Sequence, residues 1–354
     1  MIEKITIKNF KSVSDASFSV GNVNVFIGEG CTGKTNLLEA LGMAAAEYSG
    51  WIELSNMLLK GVRVVNSGLM TGSFSRKVKS DVIRVEIGGS GRSRIRYKIR
   101  FPESGDIYSG WMAEVGRGNS DTAIRKAQSL HSFLSEYVIY SPSSDVIRGW
   151  RARSPRYPLG VNGERFDQFF GGLPEEESAR VKEYAGKYMP WLGDIFFDVD
   201  PMYASQGYKL QRSSSNLYFK DKLMRKENNL FAAGTAGDGV LELLFCLAMF
   251  ISNENRFFGI DNMGSKLAPG LCPELMADLC KLAVEKQKQV LITTHNPALL
   301  DGLDLTDDKQ RLYIVSRNDR GETKVNRVSE YAYDGERRMS LSEMWIKGLL
   351  TAAC

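Results

Sequence analysis

The run Val23-Asn24-Val25-Phe26-Ile27-Gly28-Glu29-Gly30-Cys31-Thr32-Gly33-Lys34-Thr35-Asn36-Leu37-Leu38-Glu39-Ala40 decides how the rest of the chain is read. Its first five residues are mostly apolar and β-branched, as in a buried strand, and the stretch from Asn36 to Ala46 has the composition of a buried helix. Between them, Gly28 to Thr35 matches G-x-x-x-x-G-K-[ST] in full. Glycines let such a loop wrap tightly, so that successive N–H groups point at phosphate oxygens while the following helix aims its positive end at the same anion. The pattern predicts that Gly28, Glu29, Gly30, Cys31, Thr32, Gly33, Lys34, Thr35 and Asn36 line a nucleoside triphosphate, with Lys34 on the β- and γ-phosphates and Thr35 on Mg²⁺.

Such a site needs a second strand ending in an acid that holds the magnesium. Phe257-Phe258-Gly259-Ile260-Asp261 supplies one, with Asp261 as the metal-side carboxylate. Further on, Leu291-Ile292-Thr293-Thr294 is followed by His295, one of two histidines in the chain. Its imidazole is expected at the carboxyl end of that strand, beside the nucleotide. Upstream, Ala233-Gly234-Thr235-Ala236-Gly237-Asp238-Gly239 leads into an apolar helix from Val240 to Phe250. That loop either offers N–H groups to an anion or simply caps the helix with Asp238 near its start.

The α/β rhythm is clear at both ends of the chain and irregular between them. Residues 1–50 read as an N-terminal lobe with the phosphate loop, 51–225 as strands with a helical insertion serving as a dimer or partner arm, and 226–354 as a C-terminal lobe. The fold class is thus α/β, a P-loop nucleotide fold split by a mixed β and helical insertion. The 46 basic and 42 acidic residues leave a net charge of +4, too balanced to point by itself to nucleic acid or a membrane. Five cysteines lie scattered without CxxC spacing, which suggests neither a zinc site nor a disulfide framework. Met1 to Ile5 lacks a leader pattern, and the longest apolar stretch, Val240 to Ile251, is broken by Glu242 and too short to span a bilayer. A cytoplasmic chain with no membrane association is expected.

Taken together, the sequence resembles the ABC-type ATPases of the AAA group that includes the OLD and RecF-like proteins and the heads of SMC proteins. The resemblance rests on Ile5-Thr6-Ile7-Lys8-Asn9-Phe10-Lys11-Ser12, on the phosphate loop with Asn36 to Ala40, on the Asp261 strand, and on Leu291 to Asp301. It covers both ends of the chain and the middle only faintly. It implies ATP as the nucleotide, His295 against the γ-phosphate, and Gly237, Asp238 and Gly239 against the ATP of a second subunit in a homodimer or higher homo-oligomer.

Two positions and one loop depart from the pattern. Family members usually carry a glutamate after the metal-side acid, where this chain has Asn262, and an amide cannot take a proton from the attacking water. General-base assistance of roughly 10²–10⁴-fold is therefore missing or comes from elsewhere. A serine is usual where Gly237 stands, and of the loop from Met263 to Pro269 only Leu267 and Pro269 match. The expectation is a slow ATPase, with Lys34, Asp261, Asn262 and His295 at its catalytic centre, whose closed dimer acts as a state to be sensed.

Two basic clusters bear on partners. Arg92, Arg94, Arg96, Lys98 and Arg100 alternate with other residues, which at period two puts five cations on one strand face; it could track a phosphate backbone or be the solvated side of a sheet. Arg148, Arg151, Arg153 and Arg156 interleave with aromatics in a loop that could grip nucleic acid or an acidic protein surface, or be an exposed linker. Leu341, Met344, Trp345, Leu349 and Leu350 share one helical face, expected to dock on the chain's own core. Three functions follow from the resemblance: an ATPase regulating a separate toxin or nuclease in prokaryotic anti-phage defence, a DNA repair ATPase acting directly on DNA, and a transporter motor.

Overall fold

The computed structural model describes residues 1–74, 80–91, 93–101, 110–118, 120–150, 154–199, 215–334 and 337–350. The chain divides into two compact units, one of Met1–Ile139, Asn255–Met263 and Pro273–Cys354, the other of Tyr140–Glu254 and Gly264–Cys272.

The first unit holds two six-stranded sheets. In one, the order is Thr323–Val328, Gln310–Arg317, Val23–Ile27, Gln289–Thr294, Phe257–Ile260, Val138–Tyr140. Val23–Ile27 pairs in parallel with Gln310–Arg317 on one side and Gln289–Thr294 on the other, and all five of its residues are buried. A central parallel strand is covered on both faces and so reads as a continuous apolar run. The exception, Asn24, keeps its amide satisfied by accepting from the Gly21 N–H and donating to the Val290 carbonyl.

The other sheet is antiparallel, ordered Val13–Ser19, Ile2–Phe10, Val82–Gly89, Ser93–Arg100, Trp111–Gly116, Trp51–Ile52. Its strands alternate, with Ile95, Tyr97 and Ile99 inward and Arg94, Arg96, Lys98 and Arg100 outward. An aromatic cluster joins the two sheets, with Phe18 edge-on to Phe26 at a centroid distance of 5.4 Å and Phe26 stacked on Tyr313 at 5.2 Å. The second unit contains the helices Ser144–Ile147, Phe166–Gly171, Glu175–Tyr188 and Asp238–Ile251 with a three-stranded antiparallel sheet, Leu230–Ala232, Leu217–Asp221, Leu192–Phe197.

The expected borders at 50/51 and 225/226 fall elsewhere. Val82–Gly89 pairs directly with Ile2–Phe10, so the chain up to Ile139 belongs with the phosphate loop rather than to a separate arm. Helix Asp238–Ile251, read as part of the C-terminal lobe, packs against Glu175–Tyr188 in the second unit. Every residue from Leu241 to Ile251 is buried, so the helix needs cover on all sides, and its periodicity cannot say from where. At the C-terminus the helix Leu341–Ile346 is shorter than expected. Gly348 at φ 68° closes it, with the Gly348 N–H on the Trp345 carbonyl and the Leu349 N–H on the Met344 carbonyl. Leu341 and Met344 are buried, whereas Leu349 leaves the helical face and is 48% exposed.

Candidate nucleotide site

The loop after Val23–Ile27 turns into helix Lys34–Ala45 through Gly33 at φ 98°, a left-handed conformation that glycine adopts at no steric cost. At Gly28 a side chain would collide with the Val315 carbonyl, so the neighbouring strand enforces the first glycine. A cavity of about 590 Å³ opens over the loop, lined among others by Cys31, Thr32, Gly33, Lys34, Thr35, Asn36, Asp261, Asn262, Thr293 and His295. Residues drawn from distant parts of the sequence therefore meet at one edge of the parallel sheet, where its strands end.

Lys34 is buried and its Nζ donates to the Gly28 carbonyl at 2.8 Å and the Glu29 carbonyl at 2.7 Å. Burial pushes its pKa down to about 8, against the pull of Asp261 and Cys31. Thr35 donates its hydroxyl to Asp261 at 2.9 Å, and Thr293 donates to the same carboxylate at 2.6 Å while accepting the Asn262 N–H at 2.8 Å. Further bonds, Met263 N–H to the Thr293 carbonyl and Thr294 hydroxyl to the Met263 carbonyl, staple the turn after Asp261 to the neighbouring strand. Asn262 sits in that turn at φ 62°, a conformation that asparagine tolerates better than most residues.

His295 follows Gln289–Thr294 directly and is exposed at the cavity rim. Partial desolvation by the cavity wall and the Lys34 charge lower its pKa, with Asp261 opposing, so near neutral pH its imidazole is uncharged, with one donor and one acceptor nitrogen.

A metal fits the Thr35–Asp261 pair. Hydroxyl and carboxylate are hard oxygen donors, and Mg²⁺ typically takes few protein ligands and completes its shell with water and phosphate oxygens. Among the described residues no group of three or more His, Cys, Asp or Glu gathers that could hold a metal alone. Bound there, Mg²⁺ would neutralise charge on the phosphates; the chain's own share is to aim one carboxylate through two hydroxyls.

Four cavity residues escaped the sequence reading: Ser12, Arg63, Thr293 and Arg317. Arg63 is held by Glu39, a fully buried carboxylate that accepts from Arg63 Nε at 2.7 Å, the Arg63 N–H at 3.0 Å and Lys11 Nζ at 2.7 Å. A lone glutamate in the otherwise apolar stretch Leu37 to Ala46 was the available signal, since a buried carboxylate demands cations.

In the second unit, Gly237 precedes helix Asp238–Ile251 with no side-chain cap, and nothing lies within 4 Å of where its Cβ would be. The Thr235 hydroxyl donates to the Ala232 carbonyl. Arg148, expected in an exposed loop, is instead 8% exposed, and its guanidinium donates to the Ala236 carbonyl at 2.6 Å and to the Asp238 carboxylate. The short helix Ser144–Ile147 delivers it inward, so it is not available to nucleic acid, and its bond holds the Asp238 pKa below the usual range. Arg156 is half-buried near the Tyr140 hydroxyl, and Arg151 and Arg153 lie outside the described residues.

The sheet stripe is tempered too. Arg94 and Arg96 meet Glu86 at 3.1 and 2.8 Å, and Lys98 and Arg100 meet Glu114 at 3.8 and 3.7 Å; Arg92 lies outside the described residues. No helix among the described residues is long and apolar enough to cross a membrane.

Fold and cavity together define an ATPase of the ABC type with a P-loop NTPase fold. The chain belongs to the family described as "AAA domain, putative AbiEii toxin, Type IV TA system", whose profile matches residues 23–301. Solved structures similar to it include an SMC head bound to the C-terminal winged-helix domain of ScpA, at TM-score 0.60 and 17% identity over 93% of this chain and 97% of that one. An SMC head from Pyrococcus furiosus with an extended coiled coil, bound to the C-terminal domain of ScpA, gives 0.57 and 13% over 98% of both chains. The SMC head of Thermotoga maritima gives 0.53 and 11% over 92% and 98%. No curated protein matches the sequence.

Proposed function

We propose that two copies of this chain close around ATP and Mg²⁺, hydrolyse it slowly, and in the closed state regulate a separate effector, a toxin or nuclease, in prokaryotic anti-phage defence. The observation that carries this reading is the convergence of Lys34, Thr35, Asp261, Thr293 and His295 on one cavity, with an amide at Asn262 where a proton-accepting carboxylate would speed hydrolysis. The open glycine loop at Gly237 supports a second copy as the other wall of the site. The family description, which names a toxin system, and the binding of SMC heads by a separate protein support an effector in another chain. A repair ATPase acting directly on DNA has less support, because the described cations of the stripe face Glu86 and Glu114.

Calorimetry with Mg²⁺ and ATP, paired with light scattering in ATP, in ADP and without nucleotide, tests the proposal. ATP affinity that requires magnesium, and a mass that doubles with ATP but not ADP, are expected. No such affinity, or an unchanged mass at saturating ATP, overturns it. Purification with the product of a neighbouring gene tests the effector.

A further inference from the structure

Thr323 begins the strand Thr323–Val328, is fully buried, and donates its hydroxyl to the Thr32 carbonyl at 2.8 Å, across 291 residues of sequence. A hydroxyl has one proton, so the 2.7 Å contact between the Thr323 and Ser12 hydroxyls must run from Ser12 to Thr323. Ser12 in turn accepts from Asn36 Nδ2 at 2.7 Å, and its carbonyl accepts the Thr323 N–H at 2.8 Å. One directed chain of bonds thus leads from Asn36 in the first turn of the helix, through Ser12 and Thr323, back to the phosphate loop at Thr32.

The C=O and N–H of a trans peptide point in opposite directions. Fixing the Thr32 carbonyl on Thr323 therefore turns the Gly33 N–H away from Thr323, and Gly33 itself lines the cavity. The same two hydroxyls fill the space in which a Cβ on Gly33 would lie.

We propose that Thr323 and Ser12 are positioning residues of the nucleotide site: they hold the Thr32–Gly33 peptide with its N–H aimed at a phosphate oxygen. The inference rests on the nucleotide reading above.

The test compares Thr323→Val, which keeps the shape and removes the hydroxyl, with Thr323→Ser, which keeps the hydroxyl and removes a buried methyl. Magnesium-dependent ATP affinity and melting midpoint are measured for each and for the unaltered chain. Thr323→Val should weaken affinity at least tenfold, and Thr323→Ser should stay within about twofold of the unaltered chain although its midpoint falls. Affinity then follows the hydroxyl while stability follows the methyl, an ordering that a merely structural role would not produce. Equal affinity in Thr323→Val, or equal losses in both variants, overturns the inference and leaves the nucleotide reading standing. An unaltered chain without ATP affinity overturns both. Should Thr323→Val not fold, Ser12→Ala at the half-buried link is expected to lose affinity several-fold, and no loss would be fatal.

Discussion

Raising the pH from 7 to 9 should weaken ATP binding about tenfold through Lys34. In the free protein its ammonium is buried against the Gly28 and Glu29 carbonyls, with its pKa pushed down to about 8. A triphosphate in the cavity brings negative charge to contact distance, which favours the protonated form and lifts that pKa again. The sign follows. Above pH 8 the free protein has lost the proton that the complex retains, so binding takes one up and affinity declines as pH rises. With the bound pKa two units or more higher, affinity scales as 1/(1 + 10^(pH−8)), close to its full value at pH 7 and about one-tenth of it at pH 9, or ~1.4 kcal/mol. Calorimetry at pH 7, 8 and 9 in two buffers of different ionisation heat counts the proton directly: almost none taken up at pH 7, nearly one at pH 9. Lys34→Arg, charged throughout, should flatten the profile. An affinity constant with pH and no proton uptake would refute this account of Lys34.

Asn262→Glu should raise turnover by roughly 10²–10⁴-fold. It should also cost about 1 kcal/mol of stability, because φ 62° suits asparagine better than glutamate; flat phosphate release in a folded variant would defeat the slow-hydrolysis reading. Glu39→Gln leaves the half-buried Lys11 ammonium with the Arg63 carbonyl but without its carboxylate and should destabilise the chain by about 1.5–3 kcal/mol, read from the urea midpoint at unchanged slope. Arg148→Ala releases the Asp238 carboxylate at a helix N-terminus where we place the partner's phosphate. ATP-driven dimerisation should weaken roughly fivefold while ATP affinity per chain is unchanged, which light scattering and calorimetry separate.

The parts of the fold legible in the sequence are those governed by local pattern. Val23 to Ile27 and Leu291 to Thr294 read as strands and form as Val23–Ile27 and Gln289–Thr294, because apolar, β-branched runs between turn residues have few alternatives. The glycine loop and the strand before Asp261 were legible for the same reason. Ser12, Arg63, Thr293 and Thr323 were not, since each gains its place by meeting a residue far away in sequence. Interleaved arginines and aromatics likewise cannot tell a buried Arg148 from an exposed one; only the turn of Ser144–Ile147 decides it.

The place of Val23–Ile27 between Gln289–Thr294 and Gln310–Arg317 sets a timetable for synthesis. The strand, apolar but for Asn24, leaves the ribosome well before its partners: Gln289–Thr294 is complete 267 residues after Ile27 and Gln310–Arg317 is complete 290 residues after it, roughly 13–58 s at 5–20 residues per second. Throughout that interval the nascent chain displays a sticky segment and an unformed phosphate cradle. The phosphate cradle can form only after those later strands have been made, which would let ATP single out chains that have acquired them.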